Sequence, residues 1–160
     1  MGRMNPFWAM GVIVIFSRVW KNSVDLLEFI FMRKQPPEPD VWKYDLADGW
    51  EALAGRTDTD NDRLSLKTAA ANDLWFHVHG LPGSHVILRG PEGEKADPAT
   101  IKAAAAIAAW HSKARNAGTV PVSCTEAKHV SKPRGAKPGT VHIKREKTIK
   151  VRPALPDQSR

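Results

Sequence analysis

A tryptophan flanked by histidines is the group of side chains in this sequence best suited to chemistry. It lies in the segment Asp73-Leu-Trp-Phe-His-Val-His-Gly-Leu-Pro-Gly-Ser-His-Val-Ile-Leu-Arg89, whose pattern predicts two short strands joined by a Gly/Pro turn. Because side chains alternate along a strand, Trp75, His77 and His79 share one face, while the apolar residues between them face the core. If the strands pair as a hairpin, His85 and Arg89 join that same face.

This face carries groups suited to binding single-stranded RNA. An exposed Trp75 would stack on a base, which contributes about 1–3 kcal/mol per base. The imidazoles would donate to phosphates or base edges, as in other proteins that bind unpaired RNA. In the turn, the backbone amides of Gly83 and Ser84 are unhindered and would hold a phosphate. Burial of Trp75 beneath another element is the competing structural interpretation.

A metal site is a second interpretation of the same histidines. The His77-x-His79 spacing places two imidazoles on one strand face, and His85 would supply a third ligand for zinc or iron. No Asp or Glu stands at an evident matching spacing. A metal-dependent enzyme acting on RNA or on a small molecule therefore stays as the alternative to a binding protein that needs no cofactor.

Nucleophilic catalysis by Ser84 is a third interpretation. His85 or His77 would act as its base, but the serine is not in a Gly-x-Ser-x-Gly elbow and no acid is placed to orient the base. No phosphate-binding loop is present either. The single cysteine, Cys124, excludes an internal disulfide and argues against a small secreted scaffold.

The positive charge of the chain is concentrated near its C-terminus. The 160 residues carry a net charge of +7, and residues 126–152 hold nine basic and two acidic side chains, so this segment accounts for the whole excess. Such a local excess predicts a surface that binds a polyanion. The basic residues proposed to contact RNA are Lys132, Arg134, Lys137, Lys144 and Arg145.

The domain is predicted to span residues 41–153. Residues 1–40 form an N-terminal extension that ends in a Pro-rich linker, with Met32 as an alternative start of translation, and residues 154–160 form a frayed tail. The apolar runs near the N-terminus are shorter than the ~20 residues that span a bilayer, so no stable membrane association is expected.

Strand and helix patterns predict an α+β fold. Asp48-Gly49 marks a hairpin turn, Arg63–Ala70 a short helix, and Asp97-Pro98 the start of a long Ala-rich helix over Ala99–Asn116. A strand follows at 120–125, and segments 140–143 and 148–152 are expected to form a final hairpin. The expected domain has a mixed or antiparallel sheet of short strands packed on the long helix and the shorter one.

Several of these segments together resemble one protein family, the NFACT-R domain. The segment from Asp73 to Val86 is similar to its central motif, and Gly55-Arg-Thr-Asp-Thr-Asp-Asn-Asp-Arg-Leu64 resembles its Gly-Arg…Asn-Asp segment. The Ala109-Trp-His-Ser112 helix end, the loop over 130–141 and the closing segment 148–153 also fit. The resemblance covers about residues 42–153, in the same order.

The resemblance implies a cytoplasmic, bacterial RNA-binding protein of translation. Larger family members are ribosome-associated quality control factors that bind obstructed large subunits and recruit tRNA. The chain is similar to a stand-alone version, so only RNA binding carries over, with tRNA or large-subunit rRNA on the ribosome as the expected partner. The resemblance assigns this RNA-binding role to Trp75, His77, His79, Gly83, Ser84, His85, Arg134 and Lys137.

Overall fold

A computed structural model describes residues 37–156 of the chain. The predictions for residues 1–36, including the alternative start at Met32, lie outside the described residues, as does the end of the tail at 157–160. Within the described part, no helix is both long enough and apolar enough to cross a membrane.

The described chain is built from eight strands and two α-helices, with short 3-10 helices at Ala47–Gly49 and Ala127–His129. The strands are β1 (Val41–Asp45), β2 (Glu51–Gly55), β3 (Leu74–Val78), β4 (Val86–Arg89), β5 (Val120–Glu126), β6 (Val130–Ser131), β7 (His142–Ile143) and β8 (Lys147–Val151). Six of them form one antiparallel sheet in the order β1-β2-β4-β3-β5-β8, and β6 pairs with β7. The helices are α1 (Asp58–Arg63), which runs into a π-helical turn (Leu64–Thr68), and α2 (Pro98–Trp110). The predicted α+β class is confirmed.

The first hairpin forms at its predicted turn. β1 and β2 pair over their whole length, and Asp48 and Gly49 between them have φ angles of 56° and 76°. Asp and Gly are among the residues that tolerate this left-handed conformation.

The motif strands β3 and β4 also pair as predicted, and they keep the predicted alternation of faces. Phe76 lies opposite Val86 in the register, and both belong to the core beneath α2. Continuing that register places His77 opposite His85 on the other face of the sheet. The centroids of these two rings are 5.3 Å apart. The shared face predicted from the sequence therefore exists.

Helix α2 packs its alanines against the sheet and ends earlier than predicted. Asp97 caps its N-terminus, as expected, by accepting hydrogen bonds from the amides of Ala99 and Thr100. The helix ends at Trp110 instead of Asn116, because the next carbonyl, that of His111, accepts from the Ser84 amide at 2.8 Å. Contact with the motif turn thus ends the helix.

The short helix begins five residues earlier than predicted and covers the motif face. Thr57 caps α1 by accepting from the Asp60 amide, so the helix starts at the first capping residue of the Thr/Asp-rich segment. The following π-helical turn places Leu64 against Trp75 and Ile87 in a second apolar cluster. The sheet is therefore covered on both faces over its central strands.

The predicted C-terminal hairpin is wrong. β7 pairs with β6, and β8 pairs with β5 at the edge of the main sheet. Both segments do contain extended strands, but each finds a partner earlier in the chain. β6 and β7 therefore form a two-stranded sheet that packs on the motif face through Val130 and Ile143, and the loop between them carries Arg134 and Lys137.

Candidate nucleic-acid interface

Trp75 is buried, which corrects its predicted role as a stacking platform. Its side chain is 2% exposed and packs in the second apolar cluster with Leu53, Leu64, Ile87 and Val130. The indole N–H donates to Ser65 Oγ at 3.0 Å. A base cannot reach either face of this ring, so the indole holds the π-helical turn to the sheet instead of binding RNA.

His85 is buried with Trp75, and this burial does not support its predicted direct contact with RNA. The ring is 2% exposed, and Nδ1 lies 2.8 Å from Ser65 Oγ and 3.3 Å from the Asn61 carbonyl. Burial, reinforced by the neighbouring His77, lowers the pKa of His85 to about 4. The imidazole is therefore neutral at pH 7 and offers no positive charge to a phosphate.

His77 and His79 are the two histidines of the predicted face that reach solvent. His79 is exposed, with Nδ1 3.1 Å from Ser123 Oγ, and His77 is half-buried. Burial lowers the pKa of His77 as well. Both line an open cavity of about 670 Å³, which we call the histidine pocket. Its other lining residues are Trp75, Val78, Gly80, His85, Ser123, Gly139, Thr140, Val141, Ile143 and Glu146.

Arg89 is committed to an ion pair, contrary to its predicted role. Its Nε and Nη2 donate to Asp73 Oδ2 at 3.1 and 3.0 Å, and Nη2 also donates to the Thr68 carbonyl at 2.8 Å. The guanidinium thereby ties β4 to the start of β3 and to the end of the π-helical turn. Nε and Nη2 are thus used within the fold, which gives Arg89 a structural role, while its side chain remains 33% exposed.

Gly83 and Ser84 form a latch between the motif turn and the end of α2. The Ser84 amide donates to the His111 carbonyl at 2.8 Å, and its hydroxyl donates to the Gly55 carbonyl at 2.7 Å. A Cβ on Gly83 would lie 2.7 Å from the Cβ of Ser112, so only glycine allows this approach. The Ser84 amide is thus unavailable to a phosphate, and its hydroxyl is not placed as a nucleophile.

The loop between β6 and β7 is held by one carboxylate. Asp62 accepts from Lys132 Nζ at 2.7 Å and from the Gly139 amide at 3.1 Å. Lys132 also donates to the Lys137 carbonyl. Lys132 therefore braces the loop, which corrects its predicted role as a free phosphate contact, whereas the side chains of Arg134 and Lys137 remain exposed.

Two further cations follow the same loop. Lys144 and Arg145 are exposed, and their backbone is fixed because the Lys144 carbonyl accepts from Thr125 Oγ1 at 2.7 Å. Arg145 has a φ of 52°. We call Arg134, Lys137, Lys144 and Arg145 the basic surface. The chain between its two halves, residues 139–141, forms part of the wall of the histidine pocket.

The three motif histidines do not form a metal-binding group. Over residues 37–156, no set of three His, Cys, Asp or Glu side chains is arranged to hold an ion. His77 and His85 face each other edge-on, and His85 is sequestered by Ser65 and Asn61.

A second cavity, which sequence analysis did not single out, lies beside the end of α2. It measures about 690 Å³, and we call it the aromatic cleft. Trp42 stacks on His111 with ring centroids 4.3 Å apart and planes 21° apart. The Arg115 guanidinium lies 3.9 Å from the ring centroid of Trp110. β1 and the end of α2 meet in this cleft, and no spacing in the sequence links the two segments. The only local hint of the cleft in the sequence is the pair Trp110-His111 at the end of an Ala-rich helix.

A hydrogen bond joins Tyr44 to His111 in this cleft. The two side chains are 2.6 Å apart, from the phenol oxygen to Nε2. Burial raises the pKa of Tyr44, and burial together with Arg115 lowers the pKa of His111 to about 4. The imidazole is therefore neutral at pH 7, and one of its two ring nitrogens carries a proton.

Comparison with known proteins identifies related sequences. A family model described as the NFACT protein RNA binding domain matches residues 41–145. The chain is 40% identical over 121 residues to the Rqc2 homolog RqcH of Bacillus subtilis (strain 168), covering 76% of this chain and 21% of that protein. The Rqc2 homolog RqcH of Streptococcus suis (strain 05ZYH33) is also 40% identical, over 124 residues, with the same coverage. The chain thus spans about a fifth of these relatives.

A solved structure has the same fold. The C-terminal part of the fibronectin/fibrinogen-binding protein from Streptococcus suis superposes with a TM-score of 0.67 at 34% identity. The match covers 75% of this chain and 47% of that one.

Proposed function

The chain belongs to the family of NFACT protein RNA-binding domains, and from that premise we propose that it binds RNA in ribosome-associated quality control. The proposed target is tRNA or large-subunit rRNA, reached in the cytoplasm on the ribosome. The family match is the observation that carries the proposal, since it spans the motif, the histidine pocket and the basic surface together.

The basic surface would supply most of the affinity. Its four cations are exposed, and residues 126–152 contain the whole positive excess of the chain. Phosphate contacts by Lys and Arg dominate the affinity of nucleic-acid-binding proteins and position the ligand without reading its sequence. Arg134 and Lys137 project from a braced loop, so they would meet the phosphates with little loss of backbone freedom.

The histidine pocket would add contacts next to this surface. His79 offers an exposed imidazole edge, and His77 lies behind it in a cavity large enough for a nucleotide. Trp75 and His85 would act only by holding the pocket floor. Direct contacts are thus proposed for His77, His79, Arg134, Lys137, Lys144 and Arg145.

A binding role is favoured over a catalytic one. Ser84 and His85, the candidate nucleophile and base, are both held in structural hydrogen bonds. The chain spans about a fifth of the relatives named RqcH, so what those whole proteins do is not transferred to it.

Crosslinking in cells tests the proposal and identifies the RNA. The tagged full-length protein would be crosslinked, purified and its RNA sequenced beside an Arg134→Ala/Lys137→Ala variant. We expect enrichment of tRNA or large-subunit rRNA that falls in the variant. Recovery no greater than that of an untagged control would refute RNA binding in the cell.

A further inference from the structure

The aromatic cleft is separate from the proposed RNA contacts. No residue lines both this cleft and the histidine pocket. Its walls come from β1, the segment before α1, the motif turn and the end of α2. The proposed function therefore does not explain this cavity, although stacked pairs of side chains form its walls.

Planar groups dominate the cleft. Trp42 and His111 are stacked, and the Arg56 guanidinium lies 5.2 Å from the centroid of the Trp42 ring. Trp110 carries Arg115 on its face in the same way. Both tryptophans are half-buried and both arginines are exposed. A flat, polarisable ligand would gain both ring stacking and guanidinium stacking in such a site.

The charge of the cleft favours an anion. Its lining includes the cations Arg56, Lys113 and Arg115 against one carboxylate, Asp58, and Arg56 is also paired with Asp40 at 3.3 Å, which leaves Lys113 and Arg115 as the stronger attraction for an anion. Inorganic phosphate would leave the aromatic walls unused, and a neutral aromatic compound would leave the cations unused. A nucleotide matches both features, because it joins a planar base to a phosphate.

The polar edge of His111 adds a directional contact. Its Nε2 is paired with Tyr44, so Nδ1 is the ring nitrogen that remains, and among the described residues it has no hydrogen-bond partner. The ring is half-buried and stacked, so the direction of this nitrogen is fixed. The edge of a base presents both donors and acceptors that can pair with it.

We propose that the aromatic cleft binds one unpaired nucleotide of the RNA, with its base against the planar side chains and its phosphate against the cations. This inference rests on the proposed function, since it gives the same RNA a second point of contact. The cavity volume of about 690 Å³ lies within the roughly 300–1,000 Å³ typical of small-ligand sites. Paired bases are stacked on one another and cannot enter, so the cleft would select RNA with exposed nucleotides.

The test separates planar stacking from charge. In the full-length chain, Arg56→Lys/Arg115→Lys retains both charges but loses both guanidinium planes. Arg152→Lys makes the same exchange at an exposed arginine outside both the cleft and the basic surface, and it serves as the control. Affinity would be measured for a short unstructured oligoadenylate and for a blunt, fully paired RNA duplex of equal total charge.

We expect the cleft variant to bind the oligoadenylate about tenfold more weakly, with unchanged affinity for the duplex. The control variant should retain both affinities. Addition of oligoadenylate should also shift the indole N–H resonances of Trp42 and Trp110. These substitutions lie at exposed side chains, so the variants should fold normally.

Unchanged oligoadenylate affinity in the cleft variant would overturn the inference and would leave a protein segment as the better occupant. Equal losses for both RNAs would overturn it as well. If the wild-type protein binds the duplex but not the oligoadenylate, the cleft assignment fails while RNA binding stands. Failure to bind either RNA would refute the proposed function together with the cleft.

Discussion

At the scale of single residues, one serine determines what two motif side chains do. Ser65 Oγ accepts from the indole N–H of Trp75 and contacts His85 Nδ1 at 2.8 Å. The motif can be recognised from its residue types. The buried Ser65 hydroxyl that forms hydrogen bonds with Trp75 and His85, however, comes from a separate element, the π-helical turn. Trp75 and His85 therefore act as positioning residues beneath the histidine pocket.

Replacing this serine should destabilise the fold. Ser65→Ala leaves the buried indole N–H without its acceptor, and an unsatisfied buried donor costs about 1–3 kcal/mol. We expect the free energy of unfolding in urea to fall by that amount. Ser131→Ala, at an exposed serine, should change it by less than about 0.5 kcal/mol. Equal effects of the two substitutions would contradict the role given to Ser65.

The low pKa of His85 makes stability depend on pH. An unfolded His takes up its proton near pH 6.5, whereas burial delays protonation in the folded state to about pH 4. Between these values the unfolded state binds more protons, so the free energy of unfolding falls as the pH is lowered. His85 alone accounts for roughly 3 kcal/mol of this loss, and His111, shifted in the same direction, adds to it.

Denaturant titrations at a series of pH values measure this dependence. The contribution of the buried histidines to the fall should begin near pH 6.5 and be complete near pH 4, and His85→Gln should make the slope in that range shallower. A wild-type slope that His85→Gln leaves unchanged would show that the buried imidazole is not responsible.

At the scale of elements, hydrogen bonds between distant segments set the boundaries that short-range patterns miss. The turn at Asp48-Gly49 and the cap at Asp97 depend on neighbours a few residues away, and both were predicted. The end of α2 depends on Ser84, and the cover over Trp75 depends on Leu64 and Ser65. No local pattern encodes these long-range contacts, so the sequence predicts the sheet face but leaves burial of Trp75 as one of two interpretations.

The latch between the motif turn and α2 should tolerate no side chain at Gly83. The added methyl of Gly83→Ala would lie 2.7 Å from Ser112 Cβ, and relieving such a clash costs about 1–3 kcal/mol. Gly118→Ala is the matched control, since its Cβ would meet no atom within 4 Å. Thermal unfolding should show a clear loss for the first variant and none for the second. A fully stable Gly83→Ala protein would contradict the latch.

At the scale of the whole molecule, the distribution of charge can be predicted from composition, but the shape of the binding surfaces cannot. The basic excess was evident from composition, and the structure keeps Arg134, Lys137, Lys144 and Arg145 exposed while it uses Lys132 as a brace. The aromatic cleft was not predicted, because its walls converge only when β1 and the end of α2 pack together. Composition thus indicated the partner, whereas the shape of the binding surfaces depends on tertiary packing.

The salt dependence of RNA affinity tests the central claim most directly. The dissociation constant of full-length protein for tRNA would be measured over a range of salt concentrations, beside Arg134→Ala/Lys137→Ala and a charge-matched control, Lys95→Ala/Lys102→Ala. We predict strongly salt-dependent binding by the wild type, with a log–log slope that is smaller by about 1 to 2 in the first variant and unchanged in the control. Identical slopes for all three proteins, or no binding by the wild type, would contradict the account.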